Sequence, residues 1–174
     1  MAGRGLRDYL LGKRAALAAS AAARPNGASW RETVEARVIA DDATGVRKLR
    51  IRDWQFISDS GAAFGGWGLG PSSPELLCGV LGTCITHTYE IGAARMGIPL
   101  DHIEVRVSAQ NNDAAFLDID TGDPPVPFAI TVEVTLTADG VTQSGLDRLH
   151  AYVRERCPLT RLLREPQSVA FVVR

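Results

Sequence analysis

Three cysteines, three histidines and 6% aromatic residues in 174 positions are sparse material for a metal centre, a disulfide framework or a stacking surface. No C-x-x-C pair occurs, and His87, His102 and His150 are not spaced with Cys78, Cys84 and Cys157 as a zinc site requires. Charge of one sign is missing too. With 19 basic against 20 acidic residues the formal charge is −1, so no overall field draws the chain to nucleic acid or an anionic membrane. No uncharged run reaches the ~18 residues of a membrane span. The glycines of "SDSGAAFGGWGLGPSSP" lack the G-x-x-x-x-G-K-[ST] order of a phosphate loop and read as a flexible connection.

What is present suits one globular domain: 45% of the chain is hydrophobic and 22% charged, enough to bury a core without staples. The Ala-rich start, "MAGRGLRDYLLGKRAALAASAAARP", has the basic residues of a signal peptide but a weak apolar run containing Asp8. It reads instead as an amphipathic helix with Leu6, Tyr9, Leu10, Lys13 and Leu17 near one face, stopped before Pro25. The cytoplasm is the expected location. An odd cysteine number in a reducing compartment leaves two possibilities, inert core thiols or a redox pair.

Residues 1–32 are read as a helical extension and 33–174 as the main domain. Thr33 to Ala40 and Val46 to Trp54 alternate around "DDATG", as a hairpin would. From Pro74 to about Met96 a helix is expected, with Leu77, Val80, Leu81, Cys84, Thr88 and Ile91 along one stripe. Its Gly, Ala and Thr residues suit close packing on several sides, near a subunit interface. Strands follow at His102 to Ala109 and Ala129 to Thr137. A second helix, capped by Ser144 with Asp147, carries Leu146, Leu149, Val153 and Cys157 on one face and ends at Pro158. A short helix and a strand from Ser168 to Val173 complete an α+β order with antiparallel pairing and no dinucleotide-binding unit.

"GPSSPELLCGVLGTCITHTYEIGAARMGIPLDHIEVRV" resembles the central segment of the OsmC/Ohr family, the osmotically inducible and organic hydroperoxide resistance proteins. "ERCPLTRLL" is similar to that family's second cysteine segment, and the likeness extends over roughly residues 33 to 174. The resemblance implies the OsmC-like fold, with antiparallel sheets around long central helices in an intertwined homodimer. It also implies a thiol-dependent peroxidase for organic hydroperoxides, with Cys84 as the reacting cysteine and Cys157 as the resolving one. No cofactor is implied beyond an external dithiol reductant. A sulfenic acid on one thiol would be closed to a disulfide by the other.

A buried thiolate needs a cation to lower its pKa, and the family takes an arginine from the N-terminal hairpin. Alternation puts Arg47 with Leu49 and Ile51, and Lys48, Arg50 and Arg52 on the other face, so Arg47 is the candidate. The hydroperoxide-resistance branch has a glutamate ten residues before the reactive cysteine. Here that position is Pro74, with Glu75 one residue and ~100° of helix away, so the glutamate's role is not carried to Glu75. The broader OsmC-like branch is therefore indicated. His87, one turn past Cys84, reads as a core histidine sooner than a support for the thiolate. Cys78 stands about 240° around the helix from Cys84 and reads as an inert core thiol. A different class of function remains alongside the peroxidase: a non-enzymatic OsmC-like protein binding a small hydrophobic ligand at the dimer interface.

Overall fold

The structure, a computed structural model, describes residues 5–24 and 26–173. Its elements in chain order are α1 (Leu6–Ala22), β1 (Arg37–Ala40), β2 (Arg47–Ile51), β3 (Trp54–Ser58), α2 (Ser73–Met96), β4 (His102–Gln110), β5 (Phe128–Thr137), α3 (Gln143–Arg156) and α4 (Pro158–Leu162). Contacts group them into two compact units. One comprises α1, Val80–Ser108 and the chain from Ile130 onward; the other comprises Asn26–Gly79 and Ala109–Ala129.

The first unit is a hydrophobic core. Leu81, Ile85, Tyr89 and Ala93 of α2 meet Leu149, Val153 and Cys157, with Leu10 of α1, Ile98 and Leu100 completing the cluster. The buried stripe of α2 is thus rotated from the expected one, because Leu77 and Val80 are exposed whereas Ile85 and Tyr89 are buried. Gly92 permits the close approach of α3. A Cβ there would lie 2.7 Å from the Tyr152 ring and 2.8 Å from a Leu149 methyl. β4 and β5 form a two-stranded sheet, and the Asp101 N–H bonded to the Thr137 carbonyl at 2.8 Å fixes their antiparallel sense.

Helix α1 is stitched to this core by charge as well as by Leu10. Lys13 Nζ donates to Glu90 on α2 and to the Tyr9 hydroxyl, each at 3.0 Å, and Arg7 pairs with Asp101. The Arg7 hydrogen bond holds the Asp101 carboxyl down at about 2. Pro25, expected to stop α1, lies outside the described residues; the helix itself ends at Ala22. α3 begins one residue before Ser144, and its cap is Thr142, whose hydroxyl accepts from the Gly145 N–H at 3.2 Å, not the Ser144–Asp147 pair. The nearer Thr wins because its extended backbone lets the side chain turn back onto the first free N–H groups.

The second unit has a three-stranded antiparallel sheet, β1-β2-β3. The hairpin at "DDATG" forms with Arg37 opposite Arg50 and Ala40 opposite Arg47, although β1 is shorter than the alternation suggests. The alternating run to Trp54 proves to be two strands. Ile51 pairs with Trp54 across a two-residue turn in which Arg52 takes φ 51°. Arg-Asp carries none of the Asn-Gly signal usual for such a turn, so it was unreadable as one. The Arg50 guanidinium, donating to the Arg52 carbonyl at 3.1 Å, supports the turn.

The glycine-rich segment after β3 has a fixed hydrogen-bonded course. Asp59 is buried, and its carboxylate accepts from the N–H groups of Ser60 at 2.7 Å, Trp67 at 3.0 Å and Leu69 at 3.1 Å. A short 3₁₀ turn, Ala62–Phe64, lies within the loop so formed. Gly66 is required there, since a Cβ would fall 2.0 Å from the Ser60 carbonyl oxygen. At the other end of the chain, Ser168–Val173 is not a strand. Val169, Phe171, Val172 and Val173 are exposed, and among the described residues the segment pairs with neither sheet.

Candidate functional site

Cys84 lies near the middle of α2, and Cys157 closes α3 while opening α4, where Pro158 takes a first-turn position that needs no N–H donor. Helical periodicity turns both cysteines inward. Their Sγ atoms are 3.6 Å apart, both unbridged, with Cys157 fully buried and Cys84 half-buried. A disulfide bond is ~2.05 Å long, so the sulfurs need to close by only about 1.5 Å. Cys84 is therefore the sulfur a solute can approach, and Cys157 the one sealed behind it.

The surroundings of the pair are backbone N–H groups and two hydroxyls. Burial pushes the Cys84 thiol up; the Leu159 N–H and the Thr88 hydroxyl oppose this, while charge on Cys157 adds to it. For Cys157 burial also acts upward, but the N–H and hydroxyl of Thr160, Cys84 and Thr88 together outweigh it and hold the thiol below its ordinary value. At this separation the two thiols titrate as a pair, which gives up its first proton more easily than its second. The first negative charge is better accommodated on Cys157. Thr88 was not singled out beyond its place on the stripe, although its position one turn after Cys84 was the available signal.

Arg47 belongs to the other unit, and its hydrogen bonds are made there. The guanidinium donates to Ser58 Oγ from Nε at 3.3 Å and from Nη2 at 3.1 Å, and to Ser60 Oγ from Nη1 at 3.2 Å. Backbone N–H donation, led by Leu69, keeps the neighbouring Asp59 carboxyl below the usual carboxylate range, and the charge of Arg47 contributes in the same direction. Asp59 is thus the anion in the field of Arg47, and sequence reasoning missed it inside the glycine-rich segment. Glu75 is otherwise engaged. Its Oε2 accepts from both the N–H and the hydroxyl of Ser72 at 2.7 Å, the carboxylate half of a capping box at the start of α2.

Two further expectations are corrected. His87 is exposed, since the buried arc of α2 passes through Ile85, Thr88 and Tyr89 and leaves position 87 on the far side. Cys78 is half-buried and absent from the hydrophobic cluster, so it is not a core thiol; it precedes the length of α2 that the core covers. The buried histidine contact belongs to His150, whose Nδ1 is 2.7 Å from the Tyr89 hydroxyl. Among the described residues no group of three His, Cys, Asp or Glu side chains is arranged to hold a metal, and no helix is long and apolar enough to cross a membrane.

A mixed helix and strand architecture with two thiols brought together from α2 and the α3–α4 junction defines a dithiol protein of OsmC type. The family model for OsmC-like protein matches residues 65–171, and the chain belongs to that family. No curated protein matches the sequence. Among solved structures, the fold is similar to an OsmC-like protein from Mycoplasma pneumoniae, with TM-score 0.64 at 13% identity over 76% of this chain and 88% of that one. It is similar also to an OsmC-like protein of unknown function from Vibrio cholerae, with TM-score 0.60 at 9% identity over 75% and 93% of the two chains. A third is the organic hydroperoxide resistance protein OsmC, described as a predicted redox protein, from Legionella pneumophila, with TM-score 0.56 at 16% identity over 78% and 92%. At these identities the likeness establishes the fold.

Proposed function

We propose that the protein is a thiol-dependent peroxidase that reduces organic hydroperoxides through Cys84 and Cys157. The observation that carries this reading is the 3.6 Å separation of the two sulfurs, one reachable and one sealed. A proton passing from Cys84 to Cys157 across the pair leaves the reachable sulfur as the thiolate. That sulfur attacks the terminal oxygen of R–O–O–H; the S–O bond forms, the O–O bond breaks, and the alkoxide takes the proton held on Cys157 and leaves as the alcohol, which returns Cys157 to the thiolate. Cys84 is then a sulfenic acid. Cys157 as thiolate attacks the Cys84 sulfur, the S–S bond forms, and the departing hydroxide takes a proton to become water. An external dithiol exchanges with the disulfide and returns both thiols.

Arg47 is assigned as the cation that favours the Cys84 thiolate, on the strength of the family resemblance and its serine-anchored side chain. The apolar lining around Cys84, including Leu81, Ile85 and Leu159, favours a hydroperoxide with a hydrocarbon tail over hydrogen peroxide. The working form is a homodimer, which would cover apolar residues exposed in the single chain, such as Val80 on α2 and Phe56 and Ile57 on β3. Three free thiols fit a reducing compartment, the cytoplasm.

The test is peroxide consumption with a dithiol reductant, comparing a bulky organic hydroperoxide with hydrogen peroxide. Faster turnover of the organic substrate is expected. Consumption of neither would leave the fold as a binding protein for a small apolar ligand.

A further inference from the structure

One face of the sheet β1-β2-β3 carries an arrangement that works against the sheet's own stability. Register sets Arg37 of β1 directly opposite Arg50 of β2, and Arg50 opposite Gln55 of β3, so these three side chains form one row on one face. The next row on that face holds Ile39 and Lys48. All five are exposed, and none is a carboxylate. Like charges directly opposite one another destabilise a strand pair, and a sequence that breaks such a local rule does so where a site requires it. Lys48 is ion-paired with Asp41 in the hairpin loop. Arg50 gives its Nε to the Arg52 carbonyl at 3.1 Å, which leaves its two terminal nitrogens, and among the described residues the Arg37 guanidinium has no partner. A chain of formal charge −1 thus presents two uncompensated positive charges side by side.

A groove of about 460 Å³, whose lining includes Arg37, Ile39, Lys48, Arg50 and Gln55, lies over these rows. That volume is within the range of sites for small organic ligands. A guanidinium fork matches the oxygens of a carboxylate or a phosphate, and here two forks stand together. Charge chooses between the two anions. A carboxylate brings one negative charge, whereas a phosphomonoester brings about −1.5 to −2 at neutral pH, which is what Arg37 and Arg50 leave unmatched. Beside them Ile39 is 47% exposed, an apolar surface that a hydrocarbon chain would cover. We propose that this face binds an alkyl phosphate, with the phosphate held between Arg37 and Arg50, Gln55 donating from the side, and the chain lying along Ile39. Ile57, at the β3 end of the second row, is left to the homodimer contact and is not needed by the site. Neither cysteine takes part, so the site stands whether or not the peroxidase reading does.

Calorimetric titration of the reduced full-length protein with octyl phosphate, kept below micelle formation, tests this. Inorganic phosphate supplies the head alone, octanol the tail alone, and octanoate the tail with a single charge. Octyl phosphate should bind at least about tenfold more tightly than each of the three. Arg37→Gln should weaken its binding by about tenfold or more, as the loss of a charge-assisted hydrogen bond does, and Arg50→Gln by a similar factor. Because Arg50 also braces the Arg52 turn, Arg37→Gln is the decisive variant. Arg148→Gln, which removes an exposed arginine of α3, should bind as the unaltered protein does. Ile39→Ser should narrow the advantage of octyl phosphate over inorganic phosphate. No binding of octyl phosphate, equal affinities for octyl phosphate and octanoate, or equal affinities in Arg37→Gln and Arg148→Gln would overturn the proposal. So would association with vesicles of phosphatidylcholine and phosphatidic acid without binding of octyl phosphate, which would make the face a membrane contact.

Discussion

The two units of this chain are ordered by different physics. Around the thiol pair, position is set by packing: Leu100, Leu149 and Cys157 are fully buried, and Gly92 is in close contact with α3. Around Arg47, position is set by polar contacts: the sheet leaves Val38, Ile39, Trp54, Phe56 and Ile57 exposed, while Asp59 gathers three backbone N–H groups. A packed site holds two small sulfurs at a fixed distance, because moving either requires opening a cavity. A hydrogen-bonded loop holds a cation through the hydroxyls of Ser58 and Ser60. The first arrangement suits bond making, and the second suits adjustment.

The largest expected effect falls on the thiols themselves. Cys84→Ser should abolish hydroperoxide consumption in the dithiol assay, whereas Cys157→Ser should consume one equivalent and stall as a sulfenic acid that can be trapped. Undiminished turnover by Cys84→Ser would break the distinction between the reachable and sealed sulfurs. Next in size is Leu149→Ala, which empties space beneath α2 and should cost about 2–5 kcal/mol in denaturant unfolding. A cost below ~1 kcal/mol would mean that packing does not set the pair's position.

Asp59→Asn should act elsewhere and differently. Because the folded-state pKa of Asp59 is depressed, its carboxylate contributes stability that is full above the unfolded value near 4 and is lost as pH falls through the folded value. The substitution should remove that acid-side loss and speed hydrogen exchange at the Trp67 and Leu69 amides at neutral pH. Unchanged exchange at those amides would refute the loop's dependence on the carboxylate. The smallest contrast is between two arginines of one strand. Arg47→Ala should slow Cys84 oxidation several-fold by raising its thiolate pKa, and Arg50→Ala, whose guanidinium only braces the Arg52 turn, should change it little. Equal rates would place the cation elsewhere.

The packed unit was largely legible in the sequence because packing leaves periodicity. Leu149, Val153 and Cys157 recur at helical spacing and are all buried, and the long helix and both later strands fall where the pattern puts them. The second unit was less so. Asp59 looked like one more polar residue in a loop, since a carboxylate's backbone partners at Trp67 and Leu69 carry no sequence signature. The Arg52 turn was hidden for a like reason, a left-handed residue with no glycine. Thr88 stood on the expected stripe, and Cys157 comes beside Cys84 only through the fold, across 73 positions of sequence. His87 was misjudged through its neighbourhood: adjacency to a buried stripe is not membership of it.

The account depends most on the Cys84–Cys157 pair being the redox couple. One equivalent of an organic hydroperoxide added to the reduced protein, followed by peptide mapping by mass spectrometry, tests that directly. The predicted product is an intramolecular disulfide between Cys84 and Cys157 with Cys78 left as a free thiol. A disulfide joining Cys78 to Cys157, or peroxide consumed while Cys84 and Cys157 both remain reduced, would contradict it.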